Sequence, residues 1–380
     1  MTTTRLYIDV HILQSVPPSN LNRDDSGTPK QAVFGGAKRA RVSSQAWKRA
    51  ARLAYAEGVP EADRATRTKR ISELLAARLR NVEGLPVAQA DRLAGALATA
   101  LGVAKSSKKE DQSAYLLFFG KRQLDGIVGL LDGRAQQLAE LDDKELEEEI
   151  KKLPVAEQLS SGHPAEVALF GRMVADLPSL NVDASVQVAH AISTHAVQTE
   201  FDYYTAVDDE NVEDSGAGMI GTVEFNSATL YRYATLGVHQ LHENLSDAAA
   251  TADTTARFLD AFVRSIPSGH QNSFAHRTLP HLVLVTLRTD QPVNLVSAYE
   301  RPIQSRAGIA EDSVKRLAEE VTATAETWGT APALALATYT PVGAAQDKAE
   351  AAFGPSMPFP QLSERVRTAV ADWLGTGEVR

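Results

Sequence analysis

Residues Leu21 to Arg52, LNRDDSGTPKQAVFGGAKRARVSSQAWKRAAR, constrain the fold more than any other stretch. A turn-rich polar loop runs into a double glycine, then a basic run, then the start of an amphipathic helix. Seven Lys and Arg residues lie between Lys30 and Arg52 with no acidic residue among them. The whole chain is acidic, with 48 Asp and Glu against 39 Lys and Arg for a net charge of -9. So local a concentration of one sign predicts an anion-binding surface, and nucleic-acid backbone is the expected anion. The acidic total argues against non-specific coating of DNA but leaves room for a local basic track.

Just before this stretch, Leu6, Ile8, Val10 and Ile12 alternate with Tyr7, Asp9, His11 and Leu13. Period two predicts a strand, and bulky residues at both parities place it inside a sheet; Pro17 and Pro18 are expected to end it. Just after, Ser43 or Ser44 caps a helix reaching about Glu57, with Gly58 as its stop. Trp47, Ala51, Ala54 and Tyr55 form its apolar stripe, while Lys48, Arg49 and Arg52 form a positive side. Its N-terminus and the Gly35-Gly36 backbone are expected to favour a nearby phosphate. The expected role of Trp47 is core packing rather than base stacking.

From about Glu61 to Leu177 the period becomes helical. Ile71, Leu74, Leu75 and Leu79 recur at three- and four-residue steps, as do Leu93, Leu97 and Leu101. Tyr115, Leu116, Phe118 and Phe119 are assigned to a further apolar helix, Asp142 to Lys152 to a charged one, and Val167 to Val174 to a short one. Together these predict a helical subdomain inserted after a strand-loop-helix opening. Strand character returns with Val186, Val188, His190 and Ile192. Thr199 to Val223 then carries seven acidic residues and no basic one, with Gly216, Gly218 and Gly221 near its end, and reads as a projecting hairpin. TLYRYATL suits a half-buried strand. Further on, the pattern predicts a helix over Thr254 to Ile266, a polar loop over Pro267 to Thr278, a strand over His281 to Leu287 and a helix over Glu311 to Trp328. The proline-rich remainder reads as irregular, closing with a short helix through Trp373.

Several chemistries find little support. Cysteine is absent, which removes disulfides and thiolate catalysis. The nine histidines form no HExxH or other tight ligand pattern, so neither metal nor other cofactor is expected. No apolar run is long enough to span a membrane, and MTTTRLYIDVHI lacks the features of a secretion signal, so cytoplasmic residence is expected. Asp24 and Asp25 could hold magnesium and cleave a phosphodiester, or Asp24 could close an Asx turn before Gly27; the turn is the commoner use.

At LNRDDSGTPKQAVFGGAKRARVSSQAWKRA the chain resembles the backbone (CasC) subunit of Cascade, the RNA-guided surveillance complex of type I-E CRISPR systems. The likeness continues at ALFGRMVADLPSLNVDASVQVAHAISTHAV, DYYTAVDD, GTVEFNSATLYRYATL and PSGHQNSFAHRTLP. It implies an α+β fold: a palm of RNA-recognition-motif or ferredoxin-like type, inserted helical fingers and a protruding thumb hairpin. The palm would comprise 1–60, 181–198 and 223–380, with fingers at 61–180 and the thumb at 199–222.

The resemblance further implies a non-catalytic filament subunit with antiviral function. Six identical copies would hold one crRNA for pairing with target DNA, beside the large, small, endonuclease and 5′-end-binding subunits of Cascade. Lys30, Lys38, Arg39, Arg41, Lys48, Arg49 and Arg52 become candidates for guide-backbone contact, because one subunit must accept any spacer sequence. Met173 matches a position beside the displaced nucleotide, and Arg172 is a second-rank phosphate candidate. Tyr203, Tyr204, Val207, Met219 and Ile220 are thumb candidates. Asp208, Asp209, Glu210, Glu213 and Asp214 would repel RNA and are expected to face solvent or a neighbouring subunit. Two other functions fit the residues: a metal-dependent RNA endonuclease using Asp24 and Asp25, and a protein-binding scaffold.

Overall fold

The computed structural model describes residues 5–102, 113, 116–174, 177–207, 217–305, 308–340 and 343–379, with the backbone alone at 206, 207, 217–220 and 344. The chain divides into two compact units: residues 1–55, 186–239 and 252–380 form the first, and 56–185 with 240–251 the second.

The first unit is built on an antiparallel sheet whose main path runs Leu334–Tyr339, Leu282–Arg288, Tyr7–Ser19, Ala217–Gly237, Ala191–Ser193, Ala37–Val42, Gln31–Phe34. Val186–Val188 and Glu200–Val207 also pair with the long Ala217–Gly237 strand. The opening strand lies between two partners, with Ile8 opposite Leu287 on one side and Leu236 on the other. It is buried on both faces from Ile8 to Gln14, as bulky residues at both parities require. Pro17 and Pro18 do not end it. Pairing passes from Val16 with Ala228 to Ser19 with Asn226, so three steps on one strand match two on the other. That irregularity takes up the prolines, which have no amide to give to a regular ladder.

The apolar stripe of the Ser44–Glu57 helix is Trp47, Ala51 and Tyr55, all buried. Trp47 is therefore core. The Ala248–Arg264 helix begins earlier than its apolar period suggests, because Asp247 accepts from the Ala250 amide at 2.7 Å. The polar loop after it contains a short helical turn, Gln271–Phe274. The proline-rich C-terminal part is more regular than expected: Leu334–Tyr339 is a strand, and helices follow at Gln346–Phe353 and Phe359–Thr376. A run of LALATY between prolines carries too weak an alternation to announce itself.

The second unit is mainly helical. Ile71, Leu75, Leu79, Leu93, Leu97 and Leu101 share one core with Phe119, Leu124, Ile127 and Ile150. Phe118 and Phe119 are not helical: Leu117–Gly120 is a strand paired with Ala65–Thr68, Thr66 opposite Phe119. Aromatic residues favour a pleated surface once a partner strand exists, and the partner lies about fifty residues upstream, beyond the reach of local periodicity. Tyr115, assigned to the same helix, lies outside the described residues. The Ala165–Phe170 helix stops short of Val174, because Arg172 leaves it to make a two-bond bridge with Val182.

Candidate nucleic-acid interface

The basic stretch folds as a hairpin followed by a helix. Gln31–Phe34 pairs with Ala37–Val42 around Gly35-Gly36, whose φ angles of 58° and 74° suit the tight hairpin turn that matches strand twist. A Cβ on Gly35 would stand 1.5 Å from the Glu300 carbonyl oxygen. The turn thus needs glycine for both conformation and space, and Gly35 is packed against a neighbouring loop. The polar loop is stitched to the hairpin: the Lys30 amide donates to Asn22 O at 2.8 Å, the Arg41 amide to Lys30 O at 2.9 Å, and the Ser43 amide to Asn22 Oδ1 at 2.9 Å. Ser43 Oγ then accepts from the Ala46 amide at 3.3 Å and caps the helix.

This framework brings Lys30, Lys38, Arg41, Lys48 and Arg49 onto adjoining backbone. Lys38 and Arg49 are exposed; Lys30, Arg41, Lys48 and Arg52 are half-buried. None of the first five takes part in an ion pair among the described residues, whereas Arg78, Arg80, Lys121 and Arg367 each hold a carboxylate. Partial burial lowers the Lys48 ammonium below its usual range. Arg41 donates through Nη1 to His190 Nδ1 at 3.0 Å and through Nε to Gln31 O at 3.3 Å. Beside Lys30 and Arg41 lies a small recess lined also by Val16, Asn22, Pro29 and Asn226.

Arg39 behaves differently from its neighbours. It is fully buried, and its guanidinium donates to Ser193 O and Tyr299 O at 2.9 Å, Glu300 O at 3.2 Å and Phe34 O at 3.3 Å. Its hydrogens are directed to carbonyls that fix the hairpin to the end of the Ala191–Ser193 strand and to the Tyr299-Glu300 segment, in contrast to the expected phosphate contact. Arg172, in the second unit, is likewise buried; it donates to Leu180 O and Leu159 O at 2.6 Å and Phe118 O at 3.4 Å. Burial pushes it down to about 10, so it stays charged at neutral pH. Its neighbour Met173 is 82% exposed.

Sequence reading gave no special role to Arg232. It is fully buried beneath the basic helix, 3.8 Å over the Trp47 ring and 4.7 Å over the Phe262 ring. It donates to Gln14 Oε1 at 2.6 Å and to Phe262 O, a last-turn carbonyl of the Ala248–Arg264 helix. A lone arginine in TLYRYATL carries no pattern that marks it as buried.

Tyr203 and Tyr204 stand on the Glu200–Val207 strand, paired with Thr222 and Gly221. Residues Phe201 to Thr205 are exposed throughout, so both faces of this hairpin meet solvent. Tyr204 lies across Gly221, where a Cβ would come within 2.4 Å of its ring. The side chains of Val207, Met219 and Ile220 lie outside the described residues, as do Asp208, Asp209, Glu210, Glu213 and Asp214. Asp24 closes its own loop: Oδ1 accepts from the Ser26 and Thr28 amides, each at 3.0 Å. This is the Asx turn, and it engages one oxygen of the carboxylate. Among the described residues, no three His, Asp or Glu side chains gather where they could hold a metal ion, and no helix is long and apolar enough to cross a membrane.

Comparison with known proteins places the chain among others of this build. A family model described as CT1975-like protein matches residues 8–365. A solved chain of a CRISPR RNA-guided surveillance complex, pre-nicking, is 30% identical with a TM-score of 0.81, over 96% of this chain and 100% of that one. A second, from a CRISPR RNA-guided surveillance complex, is 28% identical with a TM-score of 0.75, over 96% and 99%. Comparison with curated proteins gives no match.

Proposed function

The chain belongs to the CT1975-like protein family, and from that premise we propose that it is the guide-holding backbone subunit of a type I CRISPR surveillance complex. It is a non-catalytic RNA-binding protein. The observation that carries this reading is the set of cations on the hairpin and helix, Lys30, Lys38, Arg41, Lys48 and Arg49, which lack carboxylate partners among the described residues and stand on a rigid, capped framework. Phosphate contacts of this kind supply affinity and register without reading sequence, as one subunit serving many guides requires.

Arg52 joins this set as a half-buried member. Arg39 acts one layer below, holding the hairpin in place, and Arg172 does the same for the segment that presents Met173. The RNA-recognition-motif-like palm is assigned to 1–60, 181–198 and 223–380, the fingers to 61–180, and the thumb to 199–222, with Phe201 joining Tyr203 and Tyr204 on its exposed surface. Six copies would align these surfaces along one guide in the cytoplasm, leaving bases free to pair with target DNA.

Co-expression with a guide RNA and the partner subunits tests this. The expected result is a particle with several copies of the chain and a guide protected from ribonuclease over a defined length. A nucleic-acid-free monomer under the same conditions overturns the reading. Asp24→Asn is expected to leave guide retention intact and to change no magnesium-dependent RNA cleavage; cleavage abolished by that substitution would restore the nuclease alternative.

A further inference from the structure

The strand carrying Val186 and Val188 ends beside a histidine that the guide-binding reading leaves unused. His190 is exposed, and its Nδ1 lies 3.0 Å from Arg41 Nη1. A guanidinium has only hydrogens to offer, so Nδ1 is the bare nitrogen and the single ring proton resides on Nε2. Lys30 is tied to the same place, because its carbonyl accepts from the Arg41 amide at 2.9 Å and both residues line the recess beside the hairpin. One histidine N–H therefore stands next to two cations on three separately anchored segments: the polar loop, the hairpin and the strand that follows the second unit.

We propose that Lys30, Arg41 and His190 form one seat for a phosphodiester group of bound RNA, and that seating it draws a proton onto His190. The inference rests on the RNA-binding reading and adds to it a third ligand and a dependence on pH. In the free protein Arg41 occupies Nδ1, and partial burial with the charges of Arg41 and Lys30 holds the ring below its usual range. The flanking Ala189 and Ala191 carry no charge, and among the described residues Arg41 and Lys30 are the charged groups that act on the ring. An arriving phosphate reverses the balance. Its charge offsets both cations and attracts the Arg41 guanidinium, which releases Nδ1 to take up a proton. The resulting imidazolium donates a charge-assisted bond to the phosphate oxygen, stronger than the neutral Nε2–H can make.

The sign follows directly. The bound form has the higher pKa, so the complex holds more protons than the free chain. Affinity therefore rises as pH falls through the bound-state pKa, and levels off below the free-state pKa, which lies under the ordinary histidine value of about 6.5.

The test measures binding of a short labelled single-stranded RNA of mixed sequence to the full chain by fluorescence anisotropy, at fixed ionic strength, between about pH 8.5 and about pH 5.5. The parent is expected to gain roughly five- to tenfold in affinity on acidification. His190→Gln should flatten that profile near its high-pH level, and His190→Lys should flatten it near the low-pH level, since its charge is permanent over this range. A flat parent profile, or one that His190→Gln leaves unchanged, overturns the proposal. Lys30→Glu and Arg41→Glu separate the two readings. If they weaken binding while His190→Gln keeps the parent profile, only the histidine inference falls; if the parent binds no RNA at any pH, both fall.

Discussion

Lys38 and Arg39 are adjacent in the chain and alike in charge, yet one is exposed and the other fully buried. The same division separates Arg49, on the outer side of its helix, from Arg232, which lies beneath that helix against Trp47. The exposed members have no carboxylate partner among the described residues. The buried members, Arg39, Arg172 and Arg232, direct their hydrogens mainly to backbone carbonyls, at the end of a short strand, in short helical turns and in the last turn of a helix. Carbonyl dipoles suit this task because a guanidinium offers five donors in a planar fork. A positively charged surface and a positively charged foundation thus coexist, and they respond to mutation in opposite ways.

The largest expected effect falls on the foundation. Arg232→Ala removes two ring contacts and leaves carbonyls of the Ala248–Arg264 helix unpaired in a dry site. A loss of about 3–5 kcal/mol is expected in chemical denaturation. Burial pushes Arg232 down to about 9, which still leaves it charged at neutral pH, so its removal also deletes a cation below the basic helix. Arg39→Ala should cost less, about 2–4 kcal/mol, because besides its carbonyl bonds it forfeits only one looser ring contact, 5.8 Å from the Phe34 centroid. If either variant keeps parental stability, the distinction between foundation and surface fails at that residue.

The surface set should show the converse. Joint substitution of Lys30, Lys38 and Arg41 by Glu is expected to lower guide-RNA affinity by roughly a hundredfold at physiological salt. It should also make the log–log salt dependence shallower by about 2, near 0.7 for each single-strand phosphate that is no longer neutralised. Stability should stay within about 1 kcal/mol of the parent, since surface charges contribute little to folding. An unchanged salt slope would remove these three residues from the interface even if affinity fell.

The sequence told these two sets apart only in part. It located the opening strand, the polar loop and the helix of the basic stretch, because Ser43 and the Trp47 stripe act locally, but it gave no strands to the basic run, which folds as the Gln31–Phe34 and Ala37–Val42 hairpin. It could not tell which arginine turns inward. Arg39 is buried because the segments around Ser193 and Tyr299, more than 150 residues away, bring carbonyls to it, and nothing in AKRARV encodes that meeting. The same long-range pairing explains why the Phe118 segment read as helix and folded as a strand. Met173 shows the reverse case, an apolar residue that period-based reading placed on a helix and that stands almost fully in solvent.

Met173 gives the smallest expected effect on folding and a sharp test of which side of the division it occupies. Arg172 turns inward to three carbonyls, so the backbone beside it is held, and the thioether is left outside with little to pack against. A single exposed apolar side chain is ordinary, and by itself it calls for no function. Met173→Ala should therefore change stability by less than about 0.5 kcal/mol in chemical denaturation. If the side chain wedges beside a displaced nucleotide, chemical probing of the guide in the assembled particle should show altered reactivity at regularly spaced bases and parental reactivity between them. A variant with unchanged reactivity at every base would return Met173 to the ordinary exposed class. One that loses stability by more than about 1–2 kcal/mol would place it instead with the foundation that Arg172 represents.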